Sequence, residues 1–444
     1  MSSIFNVDDL IDGQKLGWFN IRLLVYLFVV MLLDGYDIIA VGFAGPHLVK
    51  EWHVPPASLG PVFSASLIGI LLGSLFFGFI GDRLGRKFAL VASCVAFGIL
   101  TVFATTATSV PELIGLRFLA GVGIGGVLPN AIALTSEYSP KRYRATMVIL
   151  MFSGNTFGAS LPGLVSVMLV PRFGWQVLFW VGGILPLAIA LLLVLALPES
   201  IRFLALDERR RARAIATLRR LMPHVAVPAD AQLVTRLNDE GTTGTTRAFR
   251  FRQLFEGRLA KVTPLLWLTF ALNLMVFYFI NSWTPTLAMA AGVTPGTAAF
   301  GLSMFQVGGT LGGFALCRFV DRSGLKPLSA LFFLCIPVVG LAGFTVVSST
   351  FFVAGLFVVG FCVLGLQAGL NAMAGILYPT ACRANGVGHA FGLGRVGAVV
   401  GPLAGGALIG MHVSMQTMFM LAAIPVCLGA IACFALNRTA GEIA

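Results

Sequence analysis

The sequence predicts an all-α membrane protein with twelve transmembrane helices in two pseudo-symmetric six-helix bundles. Three observations carry that expectation. Hydrophobic residues make up 57% of the chain and charged residues only 11%, with mean hydropathy +0.92, a composition that water does not disperse. Apolar runs long enough to cross a hydrocarbon core of about 30 Å recur twelve times. The second half of the chain echoes the first at a nearly fixed offset.

The first run, 20–45, is interrupted by Asp34 and Asp37. A carboxylate at mid-helix costs roughly 2.5–3.5 kcal/mol to insert, so the pair marks an ion, proton or substrate path, or a salt bridge to a neighbouring helix. Three residues apart, both aspartates project from one helix face. The second run, 57–80, leads into GFIGDRLGRK (78–87), which separates it from the third, 88–107. The fourth, 111–136, contains Arg117 and is followed by Glu137. Runs at 144–169 and 175–197 complete a first bundle within residues 1–197. The polar stretch 198–262, with DERRRARAIATLRR and GTTGTT, is the expected cytoplasmic linker. The second bundle, 263–444, holds runs at 264–288, 297–319, 327–347, 350–377, 384–410 and 415–436, and Arg395 lies near the middle of the eleventh.

The repeat is visible in GDRLGRK (81–87) after the second run and VDRSGLK (320–326) after the eighth, Asp321 following Asp82 by 239 positions. Gly154 and Pro162 recur as Gly394 and Pro402, offset by 240. Parallel six-helix repeats place a binding site between them near the midplane and allow one half to rock against the other. The glycines of GVGIGG (121–126) fit close helix approach, and no strand or βαβ unit surrounds them to make a nucleotide site.

The net charge of +12 follows from topology. With the N-terminus inside, 26 of the 30 Lys and Arg residues fall on the inner side, which fixes both termini in the cytoplasm and removes any need for nucleic acid as a partner. The seven cysteines show no metal-ligand or disulfide spacing. Asp8, Asp9 and Asp12 precede the first run where a signal peptide would be basic and then apolar, so none is expected. Neither a GxxxxGK[ST] phosphate loop nor an HExxH motif occurs, which disfavours an ATP-driven pump or an enzyme.

The stretch GFIGDRLGRK resembles the loop 2–3 signature of the major facilitator superfamily, and the likeness continues through the degenerate copy at 317–326, RFLAGVG (117–123) and Pro198, Glu199, Ser200. Four further segments, LLDGYDIIAVGFAGPHL (32–48), LPNAIALTSEYSP (128–140), NSWTPTL (281–287) and YPTACRANGVGHAFGLGRVGAVVGP (378–402), resemble the aromatic acid:H+ symporter family. The resemblance implies a bacterial inner-membrane importer of a benzoate- or hydroxybenzoate-like acid, with protons as coupling ion and no cofactor. It also implies transport roles for Asp34, Asp37, Arg117, Glu137, Arg383 and Arg395. His389 departs from it, since an aromatic residue, commonly Trp, is usual there.

An anionic acid entering against an inside-negative potential meets about 2.3 kcal/mol per charge per 100 mV, which a co-transported proton removes. Coupling needs a carboxylate whose proton affinity follows its surroundings, and Asp34 and Asp37, with Arg117 and Glu137, are the candidates; two close carboxylates tend to share a proton. Arg117 lies near the outer end of its helix, where snorkelling to the interface is the competing role. Arg395 is the candidate to grip a substrate carboxylate, or else a permanent partner of an aspartate. Asn130, Asn155, Asn273, Tyr278, Asn281, Gln306, Gln367 and Asn371 are candidate cavity residues, each equally able to serve helix packing, and His389 joins them, with a packed or interfacial role as the stronger alternative. Gly78, Asp82, Arg83, Gly85, Arg86, Lys87, Arg144, Asp321, Arg322 and Arg383 form the expected cytoplasmic gate, with Glu137 pairing toward Arg144, because such charge pairs form in one state and part in another. A muconate-like acid or a sugar is the alternative substrate, and a transport-fold chemosensor the alternative function. A monomer in a lipid bilayer, binding aromatic acid and H+, is the expected assembly.

Overall fold

Long helices form wherever the apolar runs predict them. The computed structural model describes residues 4–205, 210–221, 228, 232–234, 251–323, 325–378 and 383–441. We label the spanning helices α1 (Trp18–Trp52), α2 (Leu59–Leu84), α3 (Arg86–Phe103), α4 (Val110–Gly125 continued by Val127–Tyr138), α5 (Arg144–Phe173) and α6 (Gln176–Ala196). They continue as α7 (Leu259–Ala290), α8 (Pro295–Ser323), α9 (Lys326–Ala342), α10 (Ser349–Leu377), α11 (Arg383–Gly410) and α12 (Met415–Gly441). Eleven are long and apolar enough to cross a membrane, and α9, with 17 residues, is the shorter twelfth. The run expected to reach 347 stops at Ala342, where Gly343 opens a turn and Thr345–Val347 wind into a 3-10 turn. Ser348 then caps α10, its hydroxyl accepting from the Phe351 amide at 3.3 Å.

The fourth span is broken at Gly126. Pro129 has no amide hydrogen to close the next helical turn, and the Gly125–Gly126 pair offers little resistance to a bend. Two three-residue strands depart from the all-α expectation: β1 (Ile4–Asn6) pairs in parallel with β2 (Gln232–Val234), Ile4 opposite Gln232. The linker segment GTTGTT (241–246) lies outside the described residues.

Packing repeats between the two sets of six. In the first, α1 lies on α5, α2 on α4 and α3 on α6; in the second, α7 lies on α11, α8 on α10 and α9 on α12. The sets meet through α2 with α11, α5 with α8, and α1 with α7. The tightest approaches need glycine, since a Cβ on Gly158 would strike the Leu32 backbone, and one on Gly397 the Ala271 backbone. Leu75, Leu195, Phe314 and Phe351 stand exposed on the outer helix surfaces, as side chains facing lipid do.

An even number of spans puts both chain ends on one face, here called the terminal face. Away from it, the two sets are stitched together. Ser64 Oγ donates to the Val399 carbonyl at 2.8 Å, Trp283 Nε1 to that of Pro402 at 3.0 Å, and Ser303 Oγ to that of Ser160 at 3.1 Å. Phe63 meets Trp283 edge to face at 5.2 Å.

Candidate functional site

Along a helix, three residues turn the chain 300°, so side chains at i and i+3 share a face yet diverge by about 60°. That divergence sends Asp34 and Asp37 to different partners. Asp37 points into the first set and is fully buried. Arg117 donates to both its oxygens, Nη2 to Oδ2 at 2.5 Å and Nη1 to Oδ1 at 3.2 Å, and Thr101 donates to Oδ1 at 3.0 Å. Arg117 Nε completes its fork on Ser66 Oγ at 3.1 Å, and its guanidinium lies 5.4 Å from the Phe179 ring centre. Arg117 therefore does not snorkel, because this side chain is also fully buried and its cation is matched within the bundle.

Asp34 turns instead toward α5. Its Oδ2 accepts from Asn155 Nδ2 at 2.8 Å, and it lies within direct electrostatic reach of Arg395 from α11. Tyr278 of α7 lies within electrostatic range of both Arg395 and Asp34, so groups from the two six-helix sets lie near one another. Arg395 is half-buried. Beside this group a narrow pocket, bordered by Ile38, Phe63, Ser66, Arg117, Tyr278 and Asn281, leaves about 20 Å³ open, roughly one water's worth.

The remaining candidates separate into four places. Asn281 accepts from Gln306 Nε2 at 3.1 Å and borders the pocket. Deeper in the second set, Asn273 donates to Gln367 at 2.9 Å and Gln367 to Asn371 at 3.1 Å, a chain of amides linking α7 to α10. Asn130 is elsewhere: its Nδ2 donates to the carbonyls of Gly126 at 2.8 Å and Phe77 at 3.3 Å, bracing the break in α4 against α2. His389 sits six residues, about 9 Å, closer to the terminal face than Arg395. It stacks on Trp267 at 6.1 Å and meets Phe251 at 5.2 Å, so an aromatic cluster takes up the imidazole.

On the terminal face, Gly78 lies in α2 and the charges Asp82 and Arg86 pair across the turn, while Arg83 covers Phe79 at 4.2 Å. Gly85 makes that turn with φ +106°, a conformation that only glycine adopts freely, and a Cβ there would strike the Glu199 carboxylate. Glu199 Oε1 accepts from the amides of Lys87 at 2.9 Å and Ser200 at 2.8 Å, fixing the loop to the end of α6. Glu137 does not pair with Arg144. It accepts from Ser200 Oγ, with Arg202 and Arg86 in electrostatic range. The chain turns at Pro140, which carries Arg144 away to Asp12 at 3.0 Å. The side chains of Asp321, Arg322 and Arg383 lie outside the described residues.

Sequence reasoning did not single out Thr101, Ser66, Glu199 or Asp12 for roles, and it offered Asn155 only as a cavity residue, not as the partner of Asp34. Glu199 had a signal, standing in the Pro198–Ser200 element; the hydroxyls had none, since short polar residues are common helix glue.

The Major Facilitator Superfamily matches residues 27–300 and again 266–443. The chain is similar to the 4-hydroxybenzoate transporter PcaK of Pseudomonas aeruginosa, with 35% identity over 95% of this chain and 94% of that protein. It is 36% identical to a gallate transporter of Pseudomonas putida, over 97% and 94% of the two chains. A benzoate transport protein of Acinetobacter baylyi is 31% identical over 98% and 94%. Among solved structures, a bacterial homologue of the human lysosomal transporter Spinster, in an inward-facing unoccupied conformation, superposes with a TM-score of 0.72 at 16% identity, covering 96% of this chain and 99% of that one.

Proposed function

Given that the chain belongs to the major facilitator superfamily of membrane transporters, we propose that it imports an aromatic carboxylic acid, benzoate- or hydroxybenzoate-like, by proton symport with alternating access. The single observation carrying this reading is that Asp34 of the first set lies within electrostatic range of Arg395 of the second, with Tyr278, which borders the central pocket, in range of both. The substrate class is supported by relatives whose names specify 4-hydroxybenzoate, gallate and benzoate.

In this reading residues 1–197 and 263–444 move as two bundles joined by 198–262. The substrate carboxylate takes both donor edges of Arg395, a geometry that guanidinium satisfies and ammonium does not. It thereby competes with Asp34 for the same cation. Deprived of that cation, Asp34 takes up a proton, and the load crosses with substrate charge and proton charge cancelled. Tyr278, Asn281 and Gln306 supply neutral hydrogen-bonding groups around the ligand. Asp37 and Arg117 hold α1 against α4 and set where Asp34 points.

A pocket of about 20 Å³ is far smaller than a benzoate, so loading requires the bundles to part. The contacts of Trp283, Ser64 and Ser303 away from the terminal face are then the outer closure, and the charges around Glu137 and Glu199 the inner gate. The terminal face, rich in Lys and Arg, is cytoplasmic in a bacterial inner membrane.

The test is uptake by the purified protein in proteoliposomes against a panel of aromatic acids, muconate-like diacids and sugars, with and without an inward proton gradient. Gradient-dependent accumulation of a benzoate-like acid is expected. Accumulation of only a diacid or sugar would overturn the substrate class, and binding with no uptake would make the chain a sensor.

A further inference from the structure

A second cavity lies on the terminal face, apart from the central pocket. Its volume is about 520 Å³, and it is bordered by Lys87 at the start of α3, Glu199 and Phe203 after α6, and Arg210, Arg213 and Arg220. The last two belong to the helix Arg211–Leu221, whose Ala214, Ile215, Leu218 and Leu221 are buried against the first set. That packed face holds the arginines in place along one wall.

Among the described residues, four cations and one carboxylate border this cavity. Glu199 is already turned toward backbone amides, those of Lys87 and Ser200. The Lys87 ammonium donates to the Val194 carbonyl at 2.7 Å, tying the cavity to the end of α6, and Arg210 lies 4.3 Å from the Phe203 ring centre. The excess extends along the sequence, with seven arginines and three carboxylates between Glu199 and Arg220. Such a cavity selects an anion with several acceptor oxygens.

Its position narrows the anion further. Leu84 borders the cavity and is 57% exposed, while Phe88 and Leu195, at the same ends of α3 and α6, are also exposed. A cationic cavity is thus continuous with an apolar surface at the level where membrane meets water. We propose that it seats the phosphate of an anionic phospholipid, whose acyl chains run along the outer surface of α3 and α6. This rests on the membrane-spanning fold and is independent of the transported substrate.

The test is native mass spectrometry of the delipidated full-length protein, titrated with phosphatidylglycerol, with phosphatidylcholine of the same chains, or with inorganic phosphate alone. Phosphatidylglycerol is expected to bind at least about fivefold more tightly than phosphatidylcholine, the factor that one surface cation supplies near an anionic headgroup. Arg213→Gln with Arg220→Gln should bring the two lipids to parity, and Arg172→Gln, on the opposite face, should leave the preference intact. If the double variant does not fold, each single variant should reduce the preference on its own. Equal binding of the two lipids to the unaltered protein overturns the proposal, as does a preference that survives the arginine substitutions. Inorganic phosphate binding as tightly as phosphatidylglycerol would instead make this a site for a free anion.

Discussion

Asp37 and Arg117 face each other through two hydrogen bonds, at 2.5 and 3.2 Å, with both side chains wholly excluded from solvent. Removing one partner of such a pair leaves a buried charge uncompensated, at a cost of about 3–5 kcal/mol, although exchanging both for apolar groups is often neutral. Asp37→Asn should therefore lower the melting temperature sharply, and Asp37→Leu combined with Arg117→Met should recover most of the loss. A double variant no more stable than the single would show that the pair is not a closed unit. The measurement is thermal unfolding of the purified protein in detergent.

Asp34 makes a contrasting case because its one side-chain hydrogen bond comes from a neutral amide, Asn155. Asp34→Asn keeps the size and can still bond to Asn155, so its melting temperature should move far less than that of Asp37→Asn. Concentrative uptake should disappear, while exchange of labelled for unlabelled substrate at equal pH persists. Undiminished accumulation against a gradient would remove Asp34 from the coupling step.

Arg395 is proposed to grip a carboxylate in two-pronged fashion, a geometry that lysine does not reproduce. Arg395→Lys should weaken binding of a benzoate-like acid by about tenfold or more, on the order of 1.4 kcal/mol, and leave the corresponding amide nearly unaffected. Calorimetric titration of both ligands decides the matter, since parallel losses would mean that Arg395 serves Asp34 alone.

Much of this was legible in the chain because membrane insertion makes sequence speak plainly. Twelve apolar runs, a glycine-rich repeat and four intramembrane charges, Asp34, Asp37, Arg117 and Arg395, each carry a free-energy cost that only a particular setting offsets. What sequence did not reveal was pairing. The 60° divergence that separates Asp34 from Asp37 is small on the helix surface, yet it sends Asp37 to Arg117 and Asp34 to Asn155, within electrostatic range of Arg395. Arg144 was placed with Glu137 by proximity along the chain, but the turn at Pro140 delivers it to Asp12, on the N-terminal helix Val7–Gly13. Asn130 looked like a cavity residue and instead braces a helix break, a role that depends on where Pro129 interrupts the backbone.

Gly85 offers a test of the terminal face that does not involve charge. Its φ of +106° is strained for any L side chain, by about 1–3 kcal/mol, and the added Cβ would also displace the Glu199 carboxylate from the Lys87 amide. Gly85→Ala should lower stability by that amount and slow transport. Adding Glu199→Ala should relieve the clash but not the backbone strain, so recovery is expected to be partial. Complete recovery in the double variant would assign the whole effect to crowding.

Trp283 stands at the opposite closure, its indole N–H on the Pro402 carbonyl and its ring edge to face with Phe63. Trp283→Phe keeps an aromatic ring against Phe63 and removes only the donor. A single hydrogen bond across this interface is worth about 1 kcal/mol, enough to shift the balance between closed and open outer faces roughly fivefold. A cysteine introduced at Gly60, beside Pro402 and Gly406, should then react faster with a membrane-impermeant thiol reagent when Trp283 is replaced. The closure is shared with Ser64 and Ser303, so the change should be graded, and Ser64→Ala added to Trp283→Phe should increase the rate again. If neither substitution alters reactivity at position 60 while both proteins remain folded, these bonds do not set the outer gate, and closure would rest on the apolar packing of Phe63 and its neighbours.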